Sequence, residues 1–463
     1  MSTTDRYPNQ IKYIVGNEAC ERFSYYGMRS ILFIFMTQYL MMGESGATSI
    51  YHLFIAGCYL LPLLGGFLSD RYLGKYRTIL WLSIVYCIGH LVLAIWESQT
   101  GLYWGLALIA LGAGGIKPCV SAHVGDQFHE KNSHLMKKVF SLFYWSINFG
   151  AFFSSLLIPW ILPKFGPGWA FGIPGILMAI ATWVFWLGNK HFVHVPPTGK
   201  NGPAGFARIF TYCFKHRKQR RSYQSFFDVG LKKFTKEEVE SCKSAFNIFK
   251  VFIAVAMFWA LFDQQGSTWV NQARQMDLVV WGIELKPSQI QAINPILVLL
   301  LIPVFTYLIY PAVEKMGVKL TPLKKMSAGM VLTGFSFVVV GALQSAIDLG
   351  QTVSVAWQFV PYLIITSAEV MVSITGLEFA YTQAPRSMKS TIMSFWFLTV
   401  FAGNLLTAGV AQLNPFAGAM EFYFYAGMMF FVSMIFIFAA SRYKVRSFIE
   451  KQGEFSSIQP QGI

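Results

Sequence analysis

The chain has 463 residues, of which 54% are hydrophobic and 17% aromatic, while 13% are charged. Water-soluble proteins average about 25% charged residues, so this composition, with a mean hydropathy of +0.47, excludes an ordinary soluble enzyme and indicates an integral membrane protein. The six cysteines form no C-x-x-C pair, which predicts neither disulfides nor a bound metal.

Twelve apolar blocks are long enough to cross a hydrocarbon core of roughly 30 Å, which takes about 20 helical residues. They lie near residues 17–41, 48–70, 79–97, 102–125, 139–162, 168–189, 246–270, 288–312, 325–346, 354–383, 390–412 and 420–441. Because backbone groups in lipid must bond within the segment, and these blocks are too long for barrel strands, we predict twelve transmembrane helices. Residues 1–16 are polar and mixed, so no secretory signal peptide is expected.

The basic residues predict the orientation. All but six of the 37 Lys and Arg residues lie in the termini or in the even-numbered loops. The six exceptions are Arg22, Arg29 and Lys117 within spans, and Lys164, Arg274 and Lys286 in odd-numbered loops. Because positive residues stay on the cytoplasmic side, we expect both termini inside. The net charge of +15 then reflects topology and anionic lipid rather than nucleic acid.

One long polar connection divides the chain at residues 191–245, with six predicted spans on either side. The loops SDRYLGKYR at 69–77 and VEKMGVK at 313–319 echo one another weakly, which favours two duplicated halves with a substrate site between them near mid-membrane. The predicted divisions are an N-terminal six-helix bundle at 1–190, a cytoplasmic linker at 191–245, a C-terminal six-helix bundle at 246–446 and a cytoplasmic tail at 447–463.

The first span carries four ionisable residues, although a charge at mid-membrane costs roughly 2.5 to 3.5 kcal/mol. One helical stripe, about 16 Å long, is formed by Glu18, Arg22, Tyr25 and Arg29. Glu21 flanks this stripe, which must face a watery cavity or charged partners on other helices. A structural ion-pair cluster is the alternative; we favour a binding and proton site because polar groups recur at similar depth elsewhere.

Those other polar groups lie in both halves. They are His52, Tyr59, Lys117, Asn148, Asp263, Gln264, Gln265, Asn294, Glu369 and Glu378. The cations Arg29 and Lys117 come from the first half, whereas the acids Asp263 and Glu369 come from the second. Such a bipolar cavity suits a zwitterion, whose amino and carboxylate ends Coulomb forces would hold in one direction. Glu378, among apolar neighbours, is better explained as structural.

Several stretches carry a family resemblance. EACERFSYYGMR at 18–29 resembles the ExxERFxYYG motif of the proton-dependent oligopeptide transporter family, within the major facilitator superfamily. Further similar stretches are GGFLSDRYLGKYRT at 65–78, FSLFYWSINFGAF at 140–152, FWALFDQQGS at 258–267, INP at 293–295 and SITGLEFAYTQAP at 373–385. The resemblance covers nearly the whole chain. It implies an all-α fold of twelve helices in two halves, no enzymatic activity, and protons as coupling ion without another cofactor.

The resemblance also implies roles for single residues. Proton coupling is implied for Glu18, Glu21, Arg22, His52, Lys117 and Asp263. Peptide binding is implied for Arg29 and Lys117 at the carboxylate end, for Asn148, Asn294 and Glu369 at the amino end, for Tyr25 and Tyr59 along the site, and for Trp259, Trp396 and Phe397 in the side-chain pocket.

Two departures from the family pattern indicate the kind of organism from which the protein comes. The connection near 347–353 is too short for the large extracellular domain of animal members, and residues 191–245 lack the two additional helices of many bacterial members. Together they suggest a bacterial protein with an animal-like core. We therefore expect a monomeric symporter of di- and tripeptides in the bacterial inner membrane. Transport of another solute such as nitrate, or a membrane receptor, is left as the alternative.

Overall fold

The computed structural model describes residues 8–128, 135–197, 205–219, 225–383 and 388–443. The predicted tail at 447–463 and parts of the predicted linker lie outside these residues. The helices are α1 Ile11–Ile34, α2 Glu44–Leu60, α3 Pro62–Leu68, α4 Lys75–Ile95, α5 Gln99–Asp126, α6 Met136–Leu187, α7 Phe206–Lys215, α8 Lys236–Phe252, α9 Val255–Phe262, α10 Thr268–Ala273, α11 Ile293–Val304, α12 Tyr310–Lys315, α13 Pro322–Asp348, α14 Phe359–Glu369, α15 Thr375–Gln383, α16 Lys389–Leu413 and α17 Ala419–Arg442. Two short antiparallel strands, β1 Val279–Val280 and β2 Ile283–Glu284, follow α10.

The helices account for the twelve predicted spans. Within the described ranges, nine helical segments are long and apolar enough to cross a membrane, and α8 with α9 and α10 adds a tenth that is bent by 44°. The segment Tyr144–His191 bends at Gly166, where φ is +81°, so it covers two predicted spans. The first helix, with its four ionisable residues, supplies the remaining span.

Each half of the chain has its own hydrophobic core. In the first half, α4 packs closely on α5 because two α5 glycines face it. A Cβ at Gly112 would overlap Tyr86, and a Cβ at Gly115 would overlap Leu82. Small residues of this kind let membrane helices approach closely where lipid provides no hydrophobic driving force.

The halves meet at the end of the bundle where α1 leads into α2, which we call the outer end. There α2 packs along α16, and Ser45 Oγ donates to the Ala411 carbonyl at 2.5 Å. On the other side of the interface, Gln289 Nε2 donates to the Leu156 carbonyl at 2.8 Å. These contacts close the outer end between the two halves.

The predicted linker contains helices. Besides α7, the helix α8 begins at Lys236, ten residues before the predicted seventh span. Thr235 starts it with a capping box: Thr235 Oγ1 accepts from the Glu238 backbone N–H at 3.3 Å, and Glu238 accepts from the Thr235 N–H at 2.9 Å. The first turns of α8 are rich in charge, so the apolar pattern of the span does not include them.

A second contact ties the linker to α8. Lys243 Nζ lies 2.6 Å from the Asp228 carboxylate, in the short helix Phe226–Lys232. The hydrogen bond from Lys243 lowers the pKa of the Asp228 carboxyl. This ion pair is partly exposed, so its contribution to stability is small.

Candidate functional site

A cavity of about 230 Å³ lies between the two halves. Six residues predicted for the site line it: Arg29, Tyr59, Trp259, Asp263, Asn294 and Glu369. The other lining residues are Tyr26, Ser155, Phe262, Gln265, Gln291, Pro295 and Ser373. The lining thus combines acids, a cation, amides and aromatic rings from both halves, as the bipolar pattern in the sequence predicts.

Arg29 is already paired on the outer side of this cavity. Its Nη2 donates to Asp263 Oδ1 at 2.7 Å, which joins α1 of the first half to the end of α9 in the second. Its Nε donates to the Tyr51 hydroxyl oxygen at 2.6 Å. Because its charge is balanced by Asp263, Arg29 is available to another anion only in competition with that pair.

The pair extends into a chain of hydrogen bonds. Asn404 Nδ2 donates to Asp263 Oδ2 at 2.7 Å, so Asn404 Oδ1 faces His52 Nδ1, also at 2.7 Å. Since an amide oxygen only accepts, Nδ1 of His52 carries the proton, and its Nε2 accepts from the Ser267 hydroxyl at 2.9 Å. We call this set the outer latch; it comprises Tyr51, Arg29, Asp263, Asn404, His52 and Ser267.

Lys117 has different surroundings. Its ammonium lies 3.9 Å from the centre of the Tyr59 ring and 5.0 Å from that of Tyr25. The nitrogen is buried without a hydrogen-bond partner among the described residues. Two aromatic faces stabilise a cation through their quadrupoles but leave its N–H donors unused, so Lys117 is free to receive an anionic group.

Glu18, Glu21 and Arg22 form a buried cluster on α1. Arg22 Nε donates to Glu18 Oε1 at 2.7 Å and lies 2.8 Å from Glu21 Oε2. Since the single N–H on Nε points at Glu18, both Glu21 oxygens lack a hydrogen-bond donor among the described residues. Lys117 is within electrostatic range of Glu21. Four of the six residues predicted for proton coupling therefore lie near one another, with Glu21 as the least satisfied acid, whereas His52 and Asp263 belong to the outer latch.

Glu369 lies at the other side of the cavity with a neutral partner. Asn294 Nδ2 donates to Glu369 Oε2 at 2.9 Å and approaches Thr366 Oγ1 at 3.0 Å. Asn148, predicted to act beside them, donates instead to the Tyr144 carbonyl on its own helix at 2.9 Å. The Tyr144 phenol interacts with both Asn148 and Glu369. Asn148 is therefore connected to the acid through Tyr144 rather than directly.

The predicted aromatic residues are divided between cavity and core. Of the adjacent tyrosines, Tyr26 lines the cavity, whereas Tyr25 is 1% exposed and packs behind it. Trp396 is buried behind Trp259, with ring centres 6.1 Å apart. Phe397 meets Tyr59 across the two halves at 6.2 Å.

Several residues of the site were not singled out in the sequence, and four of them make notable contacts. They are Tyr26, Tyr51, Ser267 and Asn404. Asn404 had a usable signal, since it is a lone amide in the apolar run FAGNLLTAGV. Tyr51, Tyr26 and Ser267 each adjoin more conspicuous polar or aromatic residues, and only packing decides which of two neighbours faces the site.

The arrangement suits reversible binding and proton transfer. Among the described residues, no group of three or more His, Cys, Asp or Glu is placed to hold a metal ion. The site offers instead a carboxylate with a neutral partner, Glu369, which lines the cavity. Behind Tyr59 it also has the Lys117 ammonium, which has no hydrogen-bond acceptor among the described residues.

Comparison with known proteins gives consistent matches. A sequence model described as the POT family matches residues 76–417. Human solute carrier family 15 member 2 is 40% identical over 394 residues, covering 80% of this chain and 54% of that protein. Peptide transporter family 1 of Drosophila melanogaster is 39% identical over 360 residues, covering 74% and 48%. The chain spans about half the length of these curated relatives.

Solved structures match over nearly their whole length. The crystal structure of the POT family transporter PepTSo has a TM-score of 0.88 and 41% identity, covering 94% of this chain and 98% of that one. The crystal structure of an auto-inhibited POT family peptide transporter has a TM-score of 0.87 and 39% identity, covering 96% and 98%. The helices described above therefore have the arrangement of these transporters.

Proposed function

The chain belongs to the POT family, and on that premise we propose that it is a proton-coupled symporter importing di- and tripeptides by alternating access. Membership confirms the predicted resemblance and the all-α major facilitator fold, and the family is one of transporters rather than enzymes. Two relatives are named peptide transporters, and a third peptide transporter, 27% identical with a TM-score of 0.78, was crystallised with alafosfalin.

The observation that carries the proposal is a pair of opposite charges: Glu369 in the lining of the cavity and Lys117 behind the lining residue Tyr59. Among the described residues, Glu369 accepts a hydrogen bond from the neutral amide of Asn294, and Lys117 has no hydrogen-bond acceptor. A buried charge without a counter-ion is unfavourable. A peptide supplies both missing partners, its amino group to Glu369 and its carboxylate to Lys117.

Proton coupling rests on the α1 cluster. Protonation of Glu21 removes a negative charge that Arg22 and Lys117 otherwise share with Glu18. Lys117 is then more available to the peptide carboxylate, so proton and peptide favour the same set of conformers. Coupling of this kind is a population shift with reciprocal effects on both ligands.

Alternating access requires the outer end to open. In the conformation described, the Arg29–Asp263 pair and the His52–Asn404 hydrogen bond hold the halves together there. We propose that these contacts break when the cavity faces outward. A proton on His52 would make both ring nitrogens donors, which reverses the bond to Ser267 and loosens the latch.

The remaining expectations follow from the basic residues and the family. We propose that both termini are cytoplasmic, that the membrane is a bacterial inner membrane, and that a single chain is the transporting unit. The division at 1–190, 191–245 and 246–446 is retained as a proposal. A transporter for an anion such as nitrate is less favoured, because it leaves Glu369 and Asn294 without a role.

Competition by a blocked peptide tests the proposal in proteoliposomes. Breaking one side of a buried ion pair costs about 3 to 5 kcal/mol, so N-acetylation of a dipeptide should weaken its competition with a free dipeptide at least about tenfold. Glu369→Gln should shrink the difference between the blocked and free peptides. Glu378→Gln, at an exposed acid on α15, is the matched control and should leave the difference unchanged.

Two outcomes would contradict the proposal. Equal competition by acetylated and free peptides in the wild type would remove the amino-end assignment and favour an anion transporter. Substrate binding without proton flux in liposomes that hold correctly inserted protein would favour a receptor.

A further inference from the structure

Five residues of the first half form a second polar region, which we call the polar seam. They are Asn17 and Glu21 on α1, and Ser83, Tyr86 and His90 on α4. Each is at most 1% exposed. Each has at least one side-chain polar atom that is buried without a hydrogen-bond partner among the described residues. None of the five lines the cavity between the halves.

The spacing groups the members of the polar seam on one face of each helix. Asn17 and Glu21 are four residues apart on α1, so they lie on one face. Ser83, Tyr86 and His90 follow at i, i+3 and i+7 on α4, which again is one face. The Tyr86 and His90 rings have centres 5.0 Å apart, and Tyr86 is within electrostatic range of Glu21.

His90 is oriented with one free nitrogen. Its Nδ1 lies 3.2 Å from the Phe171 carbonyl on α6. A carbonyl accepts only, so Nδ1 carries the proton and Nε2 presents a lone pair. Gly175 lets α6 approach α4 closely at this point, because a Cβ there would overlap the His90 Cβ. The ring is therefore fixed with a buried proton acceptor directed away from Phe171.

Buried polar groups are almost always hydrogen-bonded, to protein or to ordered water. Buried waters typically make about three hydrogen bonds to such groups. Buried acid, hydroxyl and imidazole groups at these positions have the chemistry of a proton path once ordered water joins them. The other titratable groups close to Tyr86 are Arg22, Cys58 and Cys87; none of these is a carboxylate that would end the path before Glu21.

We propose that the polar seam holds ordered water and conducts protons between Glu21 and the part of α4 near His90, apart from the peptide cavity. This inference rests on the proposed function. A proton from water binds His90 Nε2 and passes back to water. That water donates to the Tyr86 oxygen while the Tyr86 O–H proton moves through the next water to the Glu21 carboxylate. Each transfer breaks one N–H or O–H bond and forms another.

Two variants test the path in proteoliposomes. Tyr86→Phe keeps the ring but removes the hydroxyl, and His90→Asn keeps a donor for the Phe171 carbonyl but removes Nε2. A positioned proton-transfer group contributes about 10² to 10⁴ in rate, so uptake driven by a pH gradient should fall at least about tenfold. Substrate counterflow, which needs no net proton transfer, should stay near the wild-type rate.

Tyr76→Phe is the matched control. Its hydroxyl is also buried without a partner among the described residues, but it lies at the start of α4, where its ring stacks on Phe185. Its driven uptake should equal that of the wild type. A crystal structure that shows water should place waters on Tyr86 and His90.

Four other results would refute the proposed proton path. Wild-type driven uptake in Tyr86→Phe and His90→Asn would refute it and leave the proposed function standing. Parallel loss of counterflow in both variants would assign these residues to folding or substrate binding instead. A seam without water in such a structure would also refute it. Absence of pH-driven uptake in the wild type would overturn the proposed function itself, and the path with it.

Discussion

The outer latch and the α1 cluster are both buried charged networks, yet they are satisfied to very different degrees. In the outer latch, Asp263 accepts from Arg29 and Asn404, and His52 is bonded through both ring nitrogens. In the cluster, Glu21 has no hydrogen-bond donor and neighbouring Lys117 no acceptor among the described residues. One network has its partners within the protein; the other has groups available to protons and ligand.

This difference suits the two networks to different roles: the outer latch holds the two halves together, and the α1 cluster couples proton binding to peptide binding. A satisfied buried network stabilises one arrangement, because breaking it leaves a charge unpaired. An unsatisfied one responds to whatever supplies the missing partner, and so shifts between conformers when proton or peptide binds. The outer latch also joins the two halves, whereas Glu18, Glu21, Arg22 and Lys117 all belong to the first half. Variants at each network should therefore fail in different assays.

The largest effect is expected for Lys117→Ala. Removing this cation leaves Glu21 and the peptide carboxylate without their shared partner. Since losing one side of a buried pair costs about 3 to 5 kcal/mol, concentrative uptake under a pH gradient should fall more than about a hundredfold. Uptake into proteoliposomes with an imposed gradient measures this. Concentrative uptake at the wild-type level would refute the role of Lys117.

Lys164→Ala is the control for that variant. Lys164 also lies over an aromatic ring, with its ammonium 3.9 Å from the centre of Trp160, but it is exposed on α6, two residues before the bend at Gly166. Its replacement should leave uptake unchanged, which would show that burial of the cation, rather than the aromatic contact, gives Lys117 its effect.

A smaller effect is expected for Asp263→Asn, which breaks the outer latch. The variant leaves Arg29 without its counter-ion, so the closed outer end should lose at least about 1.4 kcal/mol relative to the open one, a factor of about ten. A cysteine at Ser45, which contacts Ala411 between the halves, reports this opening. Its labelling by a membrane-impermeant maleimide should accelerate about tenfold.

The chain without the Ser45→Cys change gives the background labelling of the six native cysteines. If the reporter cysteine reacts as fast in the chain that keeps Asp263 as in the Asp263→Asn variant, the Arg29–Asp263 pair does not hold the outer end closed. The outer latch would then have no advantage over an exposed ion pair.

An effect smaller again is expected for His52→Gln. Gln can still bond Asn404 and Ser267, so the latch is weakened by about the value of one hydrogen bond, 0.5 to 1.5 kcal/mol, but the group no longer titrates. Driven uptake should fall several-fold, while counterflow stays close to wild type. His194→Gln, at an exposed histidine, should change neither. Equal pH dependence of His52→Gln and wild type would leave His52 a packing role only.

More residues of the α1 cluster than of the outer latch could be predicted from the sequence, and the reason is physical. Glu18, Glu21, Arg22 and Lys117 stand out because charges are rare in apolar runs. Neutral members of the outer latch do not, since an amide or hydroxyl in a membrane helix is common and its partner is set by packing between distant segments. Asn404 meets Asp263 across 141 residues of chain.

The helices, too, were predicted only in part: their positions in the membrane follow from the sequence, but some of their ends do not. The apolar pattern predicts where a span lies in lipid, and the described helices are consistent with the twelve predicted spans. It cannot predict α8 before residue 246, because those turns are charged and continue into water. Likewise, the stripe on α1 identified its polar face, but whether Tyr25 or Tyr26 reaches the cavity depends on how α1 is rotated against its neighbours.

The smallest effect is expected for Glu44→Gln, which sharpens the comparison by breaking an exposed contact at the same outer end. Arg274 Nη1 lies 3.4 Å from Glu44 Oε1, and the Glu44 side chain is 57% exposed. Asn271 Nδ2 also donates to Glu44 at 2.7 Å, and a Gln oxygen can accept that bond. Exposed pairs contribute about 0.2 to 1 kcal/mol, so labelling at Ser45→Cys should accelerate by less than about fivefold and approach the wild-type rate at high salt, where exposed pairs are screened. The Asp263→Asn effect should persist in the same salt, because buried pairs are screened much less.

If Glu44→Gln opened the outer end as far as Asp263→Asn, burial would not be what distinguishes the latch, and the two halves would be held by surface charge.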